Sequence, residues 1–269
     1  MTGATSATRT GGTPAGGQKT LHLHDVHKHY GGRTVVDIAD LVLGAHGIEG
    51  LIGPNGAGKT TLMKLITHAV SPDRGHIEYH SPDGTVVLTK HSPDAIARMG
   101  VVKTNQVIQD FESLTIRESL LLSLAGAEQE KFWKIRRDNA FLRRANEEID
   151  EYLGLFHFQD PDGKAGSAGE KKLLDILRCL LLKPRFLLMD EPTAGLPQDE
   201  TNKVMEVMRQ KTRETDLSIL IIEHDLDLIW ETCEYVHFMA EGQILLQGTP
   251  SDVRSNATVA EKYLGASHA

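Results

Sequence analysis

The sequence predicts an α/β fold: a phosphate-loop core on a mainly parallel sheet, with an antiparallel β subdomain and an inserted helical lobe. Three observations predict it. Residues 186–189 and 217–222 are continuous apolar runs, the pattern of strands buried on both faces of a parallel sheet, and the helical stretch 198–215 joins them. Residues 47–53 form a further short apolar strand that ends in a glycine-rich loop and passes into a helix. Residues 21–30 alternate apolar and polar as a half-buried strand does, and residues 35–43 continue in that style.

The elements follow in order. Residues 1–19, rich in Gly, Thr, Ala and Ser, bury too little apolar surface to order themselves and read as a disordered tail, with the folded domain spanning about 21–265. In 60–68, Leu62, Leu65 and Ile66 fall on one helical face. Residues 75–88 read as a hairpin turning at Pro82-Asp83-Gly84, Ser92 as the N-cap of a following helix, and 100–104 as a short strand. From 115 to 155 leucines recur at helical spacing, and another helix follows Gly169. The stretch 107–180 is therefore a helical lobe inserted into the core, and its basic segment 131–144 reads as a solvated helix face.

Composition excludes some classes. The 269 residues are 40% hydrophobic and 25% charged with net charge -8, which argues against a broad nucleic-acid-binding face. No apolar run approaches the roughly 18 residues that span a bilayer, so work at a membrane requires a partner. The two cysteines, Cys179 and Cys233, read as buried or half-buried thiols in a reducing compartment. His22 and His24 share a strand face about 6.6–7 Å apart. No carboxylate lies between them on that face, so the expectation is an exposed strand face, not a metal site.

Gly53-Pro54-Asn55-Gly56-Ala57-Gly58-Lys59-Thr60 has two glycines five apart followed by Lys and Thr, between a strand and a helix. The glycines let backbone N–H groups turn inward as an anion cradle, and the helix N-terminus adds its dipole. Lys59 supplies a point charge to the β- and γ-phosphates, the Thr60 hydroxyl is a Mg²⁺ ligand, and Thr61 belongs to the nucleotide-contacting set. Strand 186–189 delivers Asp190 and Glu191 to its C-terminal end, where ligands bind in open α/β sheets. Asp190 is placed to hold Mg²⁺ and Glu191 to act as general base on the attacking water. Strand 217–222 ends at Glu223-His224-Asp225, which sets His224 beside the γ-phosphate, two strands along.

In this order the pieces resemble the nucleotide-binding subunits of ATP-binding-cassette transporters, over about residues 21–265. The resemblance implies an ATPase using ATP and Mg²⁺. It implies that Gln106 contacts the metal and the attacking water, and that Tyr30 stacks on adenine. It identifies Gly166-Ser167-Ala168-Gly169-Glu170 with a signature loop that normally reads Leu-Ser-Gly-Gly-Gln, so Ser167 and Gly169 would reach a nucleotide held by a dimer partner. Phe111 and Leu114 are candidate contacts to a membrane subunit. Thr193-Ala194-Gly195-Leu196-Pro197 and the chain end resemble importers of branched-chain amino acids, urea and short amides. That branch implies permease subunits, a second ATPase, a periplasmic binding protein acting indirectly, and a place at the cytoplasmic face of the inner membrane. The departures at Gly166 and Ala168 point to a heterodimer. The rivals are a lipid-exporting cassette ATPase, a soluble cassette protein of DNA repair or the ribosome, and a phosphate-loop kinase. Nothing here has the coiled-coil insertion, zinc module or second cassette usual in the soluble proteins, and a kinase has no use for Gln106, the signature loop or His224.

Overall fold

The computed structural model describes residues 19–104, 113–127 and 139–264. Two sheets carry the fold. The smaller is antiparallel, in the order β2-β1-β4-β5, from β1 (Thr20–Tyr30), β2 (Arg33–Leu43), β4 (Arg74–Ser81) and β5 (Gly84–Val87). The larger runs β10-β9-β3-β8-β7-β6, from β3 (Ile48–Ile52), β6 (Val101–Lys103), β7 (Phe186–Asp190), β8 (Ser218–Ile222), β9 (Tyr235–Ala240) and β10 (Gln243–Gly248). All its pairings are parallel except β9 with β10.

Parallel strands need cover on both faces, and their sequences are correspondingly apolar: β3 is buried at every position and β7 at all but Asp190. One core lies between this sheet, the helical lobe and helix α6 (Gln198–Glu214). The other lies between the sheet, the antiparallel layer and helix α1 (Lys59–Ile66). The lobe contains α3 (Ile116–Ala127), α4 (Asn139–Leu153) and α5 (Ala168–Leu181). In α5, Leu173, Ile176, Leu177 and Leu180 form the buried stripe expected of a 3.6-residue period. Arg117 donates to Asp150 and to Asp162 at 2.7 and 2.8 Å, tying α3 to α4 and to the loop before α5.

Three expectations need correction. β8 lies between β3 and β7, so His224 follows the strand next to the acidic one, not two strands along. The alternation in β1 breaks at Asp25, whose φ is 52° and where the register with β4 shifts. The bulge moves the buried face from Leu21 and Leu23 to Val26. Lys19 and Thr20, placed outside the folded domain by the sequence reading, are themselves buried, and the rest of the expected tail lies outside the described residues. The hairpin, the Ser92 cap and strand β6 form where expected; Ser92 accepts from the Ala95 N–H as N-cap of α2 (Pro93–Arg98). The basic stretch lies outside the described residues as far as 138. Both cysteines are buried, and burial pushes the Cys233 thiol up to about 12. Among the described residues no helix is long and apolar enough to cross a membrane.

Asp73, ahead of β4, clips the end of β1: it accepts from Lys28 Nζ at 2.8 Å and from the His29 N–H at 2.7 Å. These donors, Lys28 foremost, hold its carboxyl down at about 2. A depressed carboxylate adds stability above its unfolded pKa, near 3.9, and loses it as pH falls through the folded value. Asp73→Asn should therefore melt below the wild type at neutral pH, with the gap closing as pH drops from about 4 toward about 2 in thermal melts.

Candidate active site

The C-terminal ends of β3, β8 and β7 stand side by side, and three loops leave from them. The loop after β3 wraps tightly. Gly53 sits at φ 154°, and a Cβ there would lie 1.9 Å from the Met239 carbonyl oxygen. At Gly58, φ 106°, it would lie 2.4 Å from the Val35 carbonyl oxygen. Only glycine fits either place. Gly58 is also the N-cap of α1, with no side-chain cap and no acidic residue in the first turn, so the helix presents its N–H groups to an anion.

Lys59 is buried and arches back over the loop, donating to the Gly53 carbonyl at 2.6 Å and the Pro54 carbonyl at 3.2 Å. Burial lowers its pKa, while Glu191 and Asp190 oppose that shift. An ammonium held dry beside N–H groups gains from an arriving phosphate what burial costs it. Asn55, Gly56, Ala57, Gly58, Lys59, Thr60 and Thr61 line a cleft of about 190 Å³, with Val35, Ile222, Glu191 and His224 opposite.

Glu191 is the strained residue of the site. Its φ of 51° is rare for a side-chain-bearing residue and costs roughly 1–3 kcal/mol. Several contacts hold it there: its N–H donates to the Ile222 carbonyl at 2.9 Å, and Lys172 Nζ donates to its carbonyl at 2.8 Å. Its Oε1 lies 2.9 Å from His224 Nε2. A carboxylate only accepts, so Nε2 carries the hydrogen and Oε2 is left for another donor. His224 is set by its neighbours: Asp225 caps α7 (Leu226–Thr232), accepting from the N–H groups of Asp227 and Leu228.

Asp190 pairs with Lys103 at 3.2 Å, both side chains mostly buried, and its N–H donates to Thr104 Oγ1 at 3.3 Å. It lines a second cleft, of about 300 Å³, with Thr104, Lys172, Asp175 and Pro192. Ser167 and Gly169 stand at the start of α5. Ser167 is its N-cap, accepting from the Glu170 N–H at 3.0 Å, and keeps a hydroxyl proton to donate. Glu170 accepts from the N–H groups of Gln159, Gly166 and Ser167, which hold its carboxyl below the ordinary range, Gln159 foremost.

The structure thus brings the loop residues together with Glu191 and His224. Gly53 and Pro54 shape the loop and engage Lys59 without lining the cleft. Tyr30 does not line it either: it stands 47% exposed at the end of β1, with Lys28 Nζ 5.4 Å from its ring centre. Gln106 and Phe111 lie outside the described residues, and Leu114 is half-buried. Sequence reasoning missed three residues. Lys103 balances Asp190. Glu223, buried, fixes the loop after Glu191 by accepting from the Thr193 N–H and hydroxyl at 2.9 and 2.6 Å. Lys172 spans from α5 to the carbonyls of Glu191 and Ala194, each at 2.8 Å. The only signal for it was a pair of lysines one turn into a helix.

Comparison with known proteins places this geometry. The family model described as "ABC transporter" matches residues 36–194. The high-affinity branched-chain amino acid transport ATP-binding protein LivG of Salmonella typhimurium is 33% identical over 257 residues, 92% of this chain and 98% of that protein. The lipopolysaccharide export system ATP-binding protein LptB of Haemophilus influenzae is 32% identical over 247 residues, 91% of this chain and 97% of that one. Among solved structures, a nucleotide-free ATP-binding cassette from an ABC transporter superposes with a TM-score of 0.75 at 26% identity, covering 91% of this chain and 98% of that one.

If Lys172 keeps Glu191 in its strained position, Lys172→Met should lower the rate of ATP hydrolysis by roughly ten- to a hundredfold and leave ATP affinity nearly unchanged, since the lysine does not line the cleft. Phosphate release and equilibrium nucleotide binding, measured on the same preparation, check this.

Proposed function

The chain belongs to the ABC transporter family and hydrolyses ATP, and we propose that it energises a membrane importer of the branched-chain amino acid, urea and short-amide branch, at the cytoplasmic face of the membrane. The observation that carries the ATPase chemistry is the meeting of the glycine loop with the hydrogen-bonded Glu191–His224 pair across one cleft. The choice of branch is supported by the LivG likeness along nearly the whole chain and by the Ala194-Gly195-Leu196 loop.

The chemistry follows from the positions. The N–H groups ahead of α1 and the Lys59 ammonium take the β- and γ-phosphates, with Thr60 and Thr61 at the helix start. Glu191 receives the proton of the attacking water on the oxygen not bonded to His224. His224 holds that carboxylate in line and faces the departing phosphoryl group. Thr60 and Asp190 offer the oxygen donors that suit Mg²⁺, which when bound neutralises phosphate charge, and Gln106 completes the proposed set. Tyr30 takes the adenine ring, which fits its exposure at the strand end.

The cleft of about 190 Å³ is smaller than ordinary ligand pockets. A second ATPase subunit closes it, offering its own signature loop, while Ser167 and Gly169 of this chain close the partner's. Gly166 and Ala168 favour a heterodimer whose two sites differ. Closure on ATP and opening after hydrolysis then pass to permease subunits through the helical lobe of about 107–180, and a periplasmic binding protein delivers the cargo upstream. The LptB likeness supports a second reading, a lipid-exporting machine.

Glu191→Gln should keep ATP bound while turnover falls by on the order of 10²- to 10⁴-fold, read by nucleotide retention and phosphate release; wild-type turnover would remove Glu191 from its role. The transport reading is tested by affinity purification of the tagged chain from detergent-solubilised membranes. Two permeases and a second ATPase are the expected companions. Recovery of lipid-export components favours the second reading, and recovery of ribosomes or DNA-repair proteins overturns both.

A further inference from the structure

One face of the antiparallel sheet carries a cluster that nucleotide chemistry does not use. Strands β1 and β4 pair so that His24 stands opposite His76 and His22 opposite Glu78, while Asp40 on β2 stands opposite His24. Their sequence neighbours Leu21, Leu23, Ile77 and Tyr79 fill the core, so the pleat turns this set to the other face. The carboxylate that the sequence does not show between His22 and His24 arrives from β4. Glu78 sits among three imidazoles. Its Oε1 lies 3.3 Å from His76 Nε2, and its Oε2 lies 3.1 Å from His80 Nε2 and 3.8 Å from His24 Nε2.

The spacing is that of a ligand set. One donor atom each from His24, His76 and Glu78 lie within 4.8 Å of one another. With bonds of about 2.0–2.2 Å, the ligand atoms of a tetrahedral zinc centre stand roughly 3.4 Å apart; His76 and His24 reach that range on separate Glu78 oxygens, at 3.3 and 3.8 Å, and a set that lies within 4.8 Å closes on an ion by side-chain rotation. The other ring nitrogen of His24, Nδ1, lies 3.6 Å from Asp40 Oδ1. That is just beyond hydrogen-bond length, so a small closing of the gap would let Asp40 orient the imidazole as an outer carboxylate orients a metal-bound histidine.

We propose that His24, His76 and Glu78 bind one divalent transition-metal ion of the zinc class, with His80 or water at the fourth position. Two imidazoles and one carboxylate suit zinc, cobalt or nickel and not magnesium or calcium. The ion would fasten β1 to β4 and stabilise the subdomain. Six residue steps along β1, about 20 Å of strand, separate His24 from Tyr30 at the proposed nucleotide end, so this site stands whether or not the transport reading does.

The test is calorimetric titration of zinc chloride into the full chain without nucleotide at neutral pH, with thermal melting and cobalt(II) absorption alongside. The expected result is one equivalent bound, a raised Tm and a visible cobalt band of a low-coordinate nitrogen–oxygen site. His24→Ala/His76→Ala should lose the binding by at least about tenfold and lose the Tm rise. Glu78→Gln, which keeps the cross-strand shape, gives the same reading should the double variant fail to fold. No zinc binding by the wild type overturns the proposal. So does an equivalent retained by the folded variants, which would place the ion elsewhere, for example at Glu191 and His224.

Discussion

Parallel pairing of β3, β8 and β7 is the constraint on which the rest depends. Strands paired in parallel all end at the same edge, and an α/β sheet forces each to be apolar on both faces, so polar residues collect where the strands stop. The glycine loop leaves from one end, His224 from the next and Glu191 from the third. Their meeting in one cleft is therefore a property of strand order. β8 in the middle is what sets His224 within 2.9 Å of Glu191 while Lys59 lies across from both.

That edge is held by more contacts than packing alone requires. Glu191 keeps an unfavourable backbone because β8, α5 and the Glu223–Thr193 bonds fix it and the loop behind it. Lys172 makes this more than local. It sits one turn into α5, the helix that carries Ser167 and Gly169 at its start, and grips the carbonyls on both sides of the loop after β7. A rotation of the helical lobe that moves the signature loop must carry Lys172 with it or break two charge-assisted hydrogen bonds. The start of α5, proposed to face a partner's nucleotide, and Glu191, proposed as this chain's general base, are thus mechanically joined.

Much of this was legible in the sequence, for identifiable reasons. Continuous apolar runs and a glycine loop followed by Lys-Thr are local patterns, and they located the strands, α1, Lys59 and Glu191. Strand order is not local, so His224 was set one strand too far away. The bulge at Asp25 was invisible because alternation looks the same until its phase is tested against a partner strand. The histidine face was half read: His22 and His24 were seen, but Glu78, His76 and His80 come from more than fifty residues later and meet them only through the β1–β4 register. Lys103 carried no pattern and Lys172 only its pairing with Lys171, since a lysine acting through a backbone carbonyl or a nearby carboxylate resembles any surface lysine.

Glu170, which departs from the signature loop that this stretch resembles, has physical consequences there. Where the family pattern has Gln, Glu170 forms a capping box with Ser167 and also binds the Gln159 and Gly166 N–H groups, gathering three backbone donors on one carboxylate. The loop is thereby folded before any partner arrives, which lowers the ordering cost of docking. The same carboxylate sets a negative charge close to the residues that would face a partner's γ-phosphate, where an amide would be neutral. Pre-ordering favours closure and the charge opposes it.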